Sequence, residues 1–406
     1  MRVLPSLRSF RRLTILLAGL ALVGSTLAQS PAPTPDAPPR PPVMIPRPPS
    51  LAASSWLLMD ADSGRVLAEH NADERLPPAS LTKLMTAYLV ERELNSGNIS
   101  ADDLVPISEK AWRMGGSKMF IEVGTQVPVK ELLHGIVIVS GNDASVAMAE
   151  YLAGGEAPFA DIMNQHAARL GMRDSHFVNA TGLPDPEHYS SARDLANLSI
   201  HIIEDYPEHY AIYAHKQFSY GGIEQPNRNR LLWRDSSVDG LKTGWTNEAG
   251  YCLVASAKRE GMRLVSVVMG TSSEEARAQE TQKLLSYGFR YFETLKLEDA
   301  GTELASPRVW GGVDNNLSVG VDTAVDVTVP RDRREEMTTD IVIQQDLQAP
   351  IQEGQVVGQM TVKLGNEVVD QRDLLALEPM EEGGFFKRLI DSILRFFTGL
   401  FSGLFD

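Results

Sequence analysis

The chain has little that could support disulfide, metal or nucleic-acid chemistry. Its 406 residues include a single cysteine, Cys252, which excludes an intrachain disulfide and a cysteine-based metal cluster. That cysteine sits in Tyr251-Cys252-Leu253-Val254-Ala255, spaced like a buried strand, and is expected to be an inert core thiol. The eight histidines are scattered. His-Glu-x-x-His, a phosphate-binding glycine loop and Gly-x-Ser-x-Gly are all missing, so no metal and no cofactor is expected. Positive charge is also scarce. Lysine and arginine total 38 against 53 aspartates and glutamates, for a net charge of −15. Such a surface repels phosphates, so nucleic acid is not an expected partner. An anionic substrate must instead be held by a few locally placed cations.

The N-terminus carries Arg2, Arg8, Arg11 and Arg12, then the apolar run Leu13 to Val23, then Thr26-Leu27-Ala28. A charged start, a short apolar stretch and small residues form an export signal, assigned to residues 1–28. No cysteine follows it to take a lipid. Residues 29–50 are dense in proline, whose ring removes a backbone donor, and are expected to form a stiff extended spacer.

Ordered structure is expected from about Leu51. Trp56 to Asp60, Asp62-Ser63-Gly64-Arg65 and Val66 to Ala68 suggest strand, turn, strand. A helix is predicted from near Ser80, because Leu81, Leu84, Met85, Tyr88 and Leu89 recur at helical spacing after Pro77-Pro78. A second is predicted after Asn142, strands around residues 250–257 and 263–269, and a long helix from Glu274 to about Phe292. After about Gly301 the pattern alternates, as in Val325, Val327 and Val329 or Met360, Val362 and Leu364 before a Gly365-Asn366 turn. This implies a small β domain, with residues 51–299 before it and 300–380 within it. The tail, 381–406, places Phe385, Phe386, Leu389, Ile390, Ile393, Leu394, Phe396, Phe397, Leu400, Phe401, Leu404 and Phe405 on one broad face of a helix. That face is suited to lying in a membrane surface; docking on the β domain is the competing expectation.

Three short segments carry the chemistry. In Ser80-Leu81-Thr82-Lys83, helical spacing lets the hydroxyl and the amine meet. Burial and the positive end of the helix dipole both favour the neutral amine, which could take the proton of Ser80. Ser140-Gly141-Asn142 follows the apolar run Gly135 to Val139 and precedes a helix. The same letters recur at Ser96-Gly97-Asn98, in a polar stretch that reads as a surface turn. Lys242-Thr243-Gly244 adds a cation, a hydroxyl and a glycine that admits a substrate backbone.

Each segment alone is weak evidence, but their order and spacing resemble the serine penicillin-recognising enzymes. The wording around them, Pro77-Pro78-Ala79 before Ser80 and Asp143-Ala144 after Asn142, resembles the low-molecular-weight D-alanyl-D-alanine carboxypeptidases. Asn227-Arg228-Asn229 and Val238-Asp239-Gly240 add to the likeness. The resemblance implies an α/β (α+β) catalytic domain with an antiparallel sheet flanked by helices, a β-rich second domain and an amphipathic terminal helix. It implies Ser80 as nucleophile, Lys83 as general base, Ser140 as proton relay, Asn142 as holder of the substrate amide and Lys242 as electrostatic support. Thr243 and Arg277 would bind the terminal carboxylate, with Gly244 and Trp245 along the substrate strand, backbone N–H groups of Ser80 and Trp245 as oxyanion hole, and Arg228 in the cleft. Expected partners are peptidoglycan stem peptides, β-lactams as covalent inhibitors and a membrane surface, in the periplasm at the inner membrane. A class A β-lactamase fits less well: Gly141 replaces the aspartate of Ser-Asp-Asn, and the one Glu-x-x-Leu-Asn, Glu91 to Asn95, precedes Ser140. A non-catalytic envelope-binding protein would need a broken set of these residues, and the set is intact.

Overall fold

The computed structural model describes residues 45–402, with side chains to Phe396. The expected export signal and most of the proline-rich spacer lie outside the described residues, as do the side chains of Phe397, Leu400, Phe401, Leu404 and Phe405. The core of the first domain is an antiparallel sheet of β1 (Ser55–Asp60), β2 (Val66–His70), β3 (Val238–Thr246), β4 (Gly250–Arg259) and β5 (Met262–Thr271), in the order β2-β1-β5-β4-β3. Alternation explains why its strands read as nearly continuous apolar runs. In β1, Leu57 and Met59 enter one core while Trp56 and Leu58 enter another, so all six residues are buried. A sheet covered on both faces needs apolar residues at every position.

One face is covered by a helical layer that includes α1 (Lys83–Asn95) and α2 (Asn142–Ala153). The other is covered by α3 (Glu274–Tyr291). Helix α3 starts where Ser273 accepts a hydrogen bond from the Ala276 N–H, with Glu274 and Glu275 complementing the first turn. Residues 45–50, assigned to the spacer, are not free of this domain. Ile45 and Leu51 pack on the α3 side, and the Tyr287 hydroxyl donates to the Pro46 carbonyl. Cys252 is fully buried, and burial pushes its thiol up to about 11, as an inert core thiol requires.

Beyond residue 292 the chain forms a separate apolar core around Val319, Val325, Val327, Met360, Val362 and Leu364. Strands Val356–Leu364 and Glu367–Ala376 make the expected hairpin in a second, five-stranded sheet. The terminal helix, α4 (Phe385–Ser402), turns its polar side toward this domain. Asp391 is buried there, accepting from the Gly311 N–H at 3.0 Å and from Arg308 at 3.2 Å, and Lys387 donates to Asn315. Phe385, Phe386, Ile390 and Phe396 are left exposed. No helix among the described residues is long and apolar enough to cross a membrane.

Candidate active site

Ser80 is not inside the predicted helix. It lies in a tight 3₁₀ turn, Ala79–Thr82, and α1 begins at Lys83. In a 3₁₀ turn residues three apart eclipse each other, so the pairing of Ser80 with Lys83 survives the correction and tightens. Ala79 holds φ +49°, and the turn is pressed from two sides by glycines. A Cβ on Gly182 would lie 1.8 Å from the Ala79 carbonyl, and one on Gly244 would lie 2.9 Å from the Pro78 carbonyl. Strand β3 and the loop carrying Gly182 reach the nucleophile turn only because those side chains are missing.

Lys83 is buried, with its Nζ 3.0 Å from Ser80 Oγ. The same nitrogen lies 2.7 Å from Asn142 Oδ1 and 2.6 Å from the Thr181 carbonyl oxygen. Burial lowers the Lys83 amine to about 7; the Asp143 carboxylate opposes that shift and the Arg228 charge adds to it. A neutral amine has two N–H groups and one lone pair. Asn142 and Thr181 offer an acceptor to each N–H, which leaves the lone pair for the Ser80 hydroxyl. This is the geometry of a general base beside an alcohol nucleophile.

The second segment turns sharply into α2. Ser140 has φ +62°, and the Asn142 N–H donates to the Ser117 carbonyl at 2.7 Å. Asp143 locks the turn: its carboxylate accepts from the backbone N–H groups of Met119, Phe120 and Ala144 at 2.9 to 3.0 Å. Asn142 commits its carbonyl to Lys83 and one N–H to the Gly115 carbonyl at 2.7 Å, leaving its second N–H to offer. The Ser140 hydroxyl is buried and has no hydrogen-bond partner among the described residues. Buried hydroxyls are normally paired, so this one is an acceptor and donor in reserve. The copy at Ser96 to Asn98 lies in a turn after α1, as read from its polar surroundings.

The third segment lies on edge strand β3. Lys242 is buried, and its amine is pushed well below the usual lysine range by burial, with the Lys83, Arg228 and Arg277 charges adding to it. Its Nζ donates to the Thr243 carbonyl at 3.1 Å. Arg277, one turn into α3, is 4 % exposed and lies over the Tyr251 ring with 5.6 Å between guanidinium carbon and centroid. Ser80, Ser140, Arg228, Thr243, Gly244, Trp245 and Arg277 line one cavity of about 280 Å³. A second, of about 560 Å³, shares Ser80, Arg228 and Trp245 and adds Asn142, Thr181 and Glu248. The two meet at the nucleophile. Trp245 stands half exposed between them. In an acidic protein, Arg228 and Arg277 make this a cationic cleft.

Two contributors had no clear sequence signal. Thr181 acts through its backbone carbonyl, which any residue could supply. His188 is buried between the Thr82 hydroxyl, 2.8 Å from its Nε2, and the Val178 N–H, which donates to its Nδ1 at 3.1 Å. Burial lowers its imidazole to about 4, so it ties the Thr181 loop to the nucleophile turn as a neutral ring. Among the described residues no group of three or more His, Cys, Asp or Glu side chains could hold a metal ion.

Comparison with known proteins places this geometry. Residues 43–273 match the family model for D-alanyl-D-alanine carboxypeptidase, and residues 292–382 match that for the C-terminal domain of penicillin-binding protein 5. The chain is 45% identical over 358 residues to the D-alanyl-D-alanine carboxypeptidase DacA of Escherichia coli K12, covering 86% of this chain and 89% of that one. A crystal structure of penicillin-binding protein 5 from Haemophilus influenzae is 42% identical, with a TM-score of 0.79 over 82% of this chain and 99% of that one. Penicillin-binding protein D2 of Listeria monocytogenes, solved in an ampicillin-bound form, is 33% identical, with a TM-score of 0.55 over 59% of this chain and 98% of that one. The chain therefore belongs to the D-alanyl-D-alanine carboxypeptidase family, the low-molecular-weight penicillin-binding proteins.

Proposed function

We propose that the chain removes the terminal D-alanine of peptidoglycan stem pentapeptides through an acyl-enzyme on Ser80. In the first half, the Ser80 proton passes to the Lys83 lone pair as Oγ bonds to the penultimate D-alanine carbonyl carbon. The oxyanion is received by the backbone N–H groups of Ser80 and Trp245. The C–N bond then breaks: Ser140 passes its proton to the departing amine and is reprotonated by Lys83, which returns to the neutral form, with the buried Lys242 supporting that transfer. In the second half, water adds to the ester carbonyl and gives a proton to the neutral Lys83, which passes it to Ser80 Oγ as the C–O bond breaks, restoring the hydroxyl and the free amine. Asn142 offers its free N–H to the substrate amide. Thr243 and Arg277 receive the terminal carboxylate, Arg228 borders the cleft, and Gly244 and Trp245 form the strand edge along which the peptide lies.

One observation carries this reading: a buried Lys83 amine, lowered by burial to about 7, lies 3.0 Å from Ser80 Oγ, with acceptors elsewhere for both hydrogens of its neutral form. The ampicillin-bound form of the Listeria relative supports β-lactams as ligands of this cleft, where they would acylate Ser80. The test is Ser80→Ala. D-alanine release from a pentapeptide should vanish, and intact mass spectrometry should find no penicillin adduct; release at the wild-type rate would end the proposal.

The same reading divides the chain into an export signal (1–28), a spacer (29–50), a catalytic domain (51–299), a β-rich domain (300–380) and an anchor (381–406). The enzyme would work in the periplasm, held peripherally at the inner membrane. Exposed phenylalanines on α4, with its polar side engaged by the β domain, support that location.

A further inference from the structure

Beyond the nucleophile the cleft continues away from Arg277. The cavity of about 560 Å³ runs past Leu183 and Pro184 to Glu248. A further hollow of about 510 Å³ shares Pro184 and Glu248 with it and ends at Arg75 and Tyr189. If the terminal carboxylate lies at Thr243 and Arg277, the residue preceding D-Ala-D-Ala must lie on this other side of Ser80, between Trp245 and Leu183. Glu248 is the one carboxylate lining the cavity of about 560 Å³, and it is exposed, four residues beyond Gly244. No cation pairs with it among the described residues, whereas two other charges along the cleft are already engaged. Arg75 is held by Asp174 at 3.0 Å and lies over the Tyr189 ring, and Glu274 is held by Arg230 at 2.8 Å. The next hollow adds Asp185, a second carboxylate. A groove with a cationic end for a carboxylate and an acidic end beyond the scissile bond suits a peptide of opposite polarity.

We infer that Glu248 is a specificity-determining residue, which receives a side-chain ammonium on the stem-peptide residue immediately before D-Ala-D-Ala. This rests on the carboxypeptidase reading and on the substrate direction given above. Because Glu248 is exposed, the pair contributes a modest preference and is weakened by salt.

The experiment compares Nα-acetyl-L-Lys-D-Ala-D-Ala with its Nα,Nε-diacetyl counterpart, by D-alanine release, in wild type, Glu248→Gln and Glu248→Lys. Penicillin acylation reports that each variant is folded. Wild type should favour the free amine by about threefold to fivefold in kcat/KM, mostly through KM. The preference should shrink with added salt, disappear in Glu248→Gln and reverse in Glu248→Lys. An unchanged substrate ratio in Glu248→Gln would overturn the assignment while leaving the carboxypeptidase intact. Absence of D-alanine release from both substrates in wild type would instead remove the activity, and the assignment with it.

Discussion

Lys83 and Arg277 show how far identity alone carries at the scale of single residues. The sequence offered Lys83 as a neutral general base and Arg277 as a cation for the carboxylate, and the cleft contains both. Their protonation and partners depend on surroundings that no local pattern encodes. Lys83 is buried, and its hydrogens point at Asn142, 59 residues on, and at a backbone carbonyl 98 residues on. Arg277 is steadied by the Tyr251 ring from strand β4. A charged donor to a carboxylate is typically worth about 1.5–3 kcal/mol. Arg277→Gln should therefore lower kcat/KM for a D-Ala-D-Ala peptide by roughly tenfold to a hundredfold, while a peptide ending in an amide should be little affected. Equal losses on both peptides would remove the carboxylate from Arg277. Asn142 was expected to hold substrate. Its carbonyl and one N–H are spent inside the protein, on Lys83 and Gly115, which leaves one N–H to offer, a division legible only in three dimensions.

At the scale of elements, periodicity located β1, β2, β4, β5 and α3 closely, because alternation and helical spacing follow directly from which faces are buried. It missed the 3₁₀ turn at Ala79–Thr82, since Pro77-Pro78 followed by an apolar repeat is equally a helix start. The turn is fitted between Gly182 on a distant loop and Gly244 on strand β3, a tertiary cause. Helix α1 also holds an unused acid. Glu91 is fully buried, receives the Tyr213 hydroxyl at 3.1 Å, and is raised by burial to about 8. A carboxyl raised in the folded state contributes stability that is complete below its unfolded value near 4.5 and is lost as pH rises through about 8. Glu91→Gln lacks that loss. Thermal unfolding should show the variant gaining on wild type between those two pH values, by on the order of a few kcal/mol at the upper end. A constant gap from pH 4 to 9 would mean that Glu91 is charged in the folded protein.

The whole molecule joins a cleft built for an anionic peptide end to a helix that offers phenylalanines outward. The sequence showed the amphipathic face but left open whether it meets membrane or protein. Asp391, buried against Gly311 and Arg308, turns the polar side of that helix toward the β domain. Deleting residues 385–406 should leave D-alanine release from a soluble peptide intact and release the protein from membranes. If the truncated protein still sediments with membranes, α4 is not the anchor.

The proposed chemistry depends most on an uncharged amine activating the nucleophile. Its direct measurement is the rate of penicillin acylation of the full chain, followed by intact mass from pH 5 to 9. The rate should climb through an apparent pKa near 7, where Lys83 loses its proton, and level off above it. A rate independent of pH across that range, or an adduct that persists in Ser80→Ala, would contradict it.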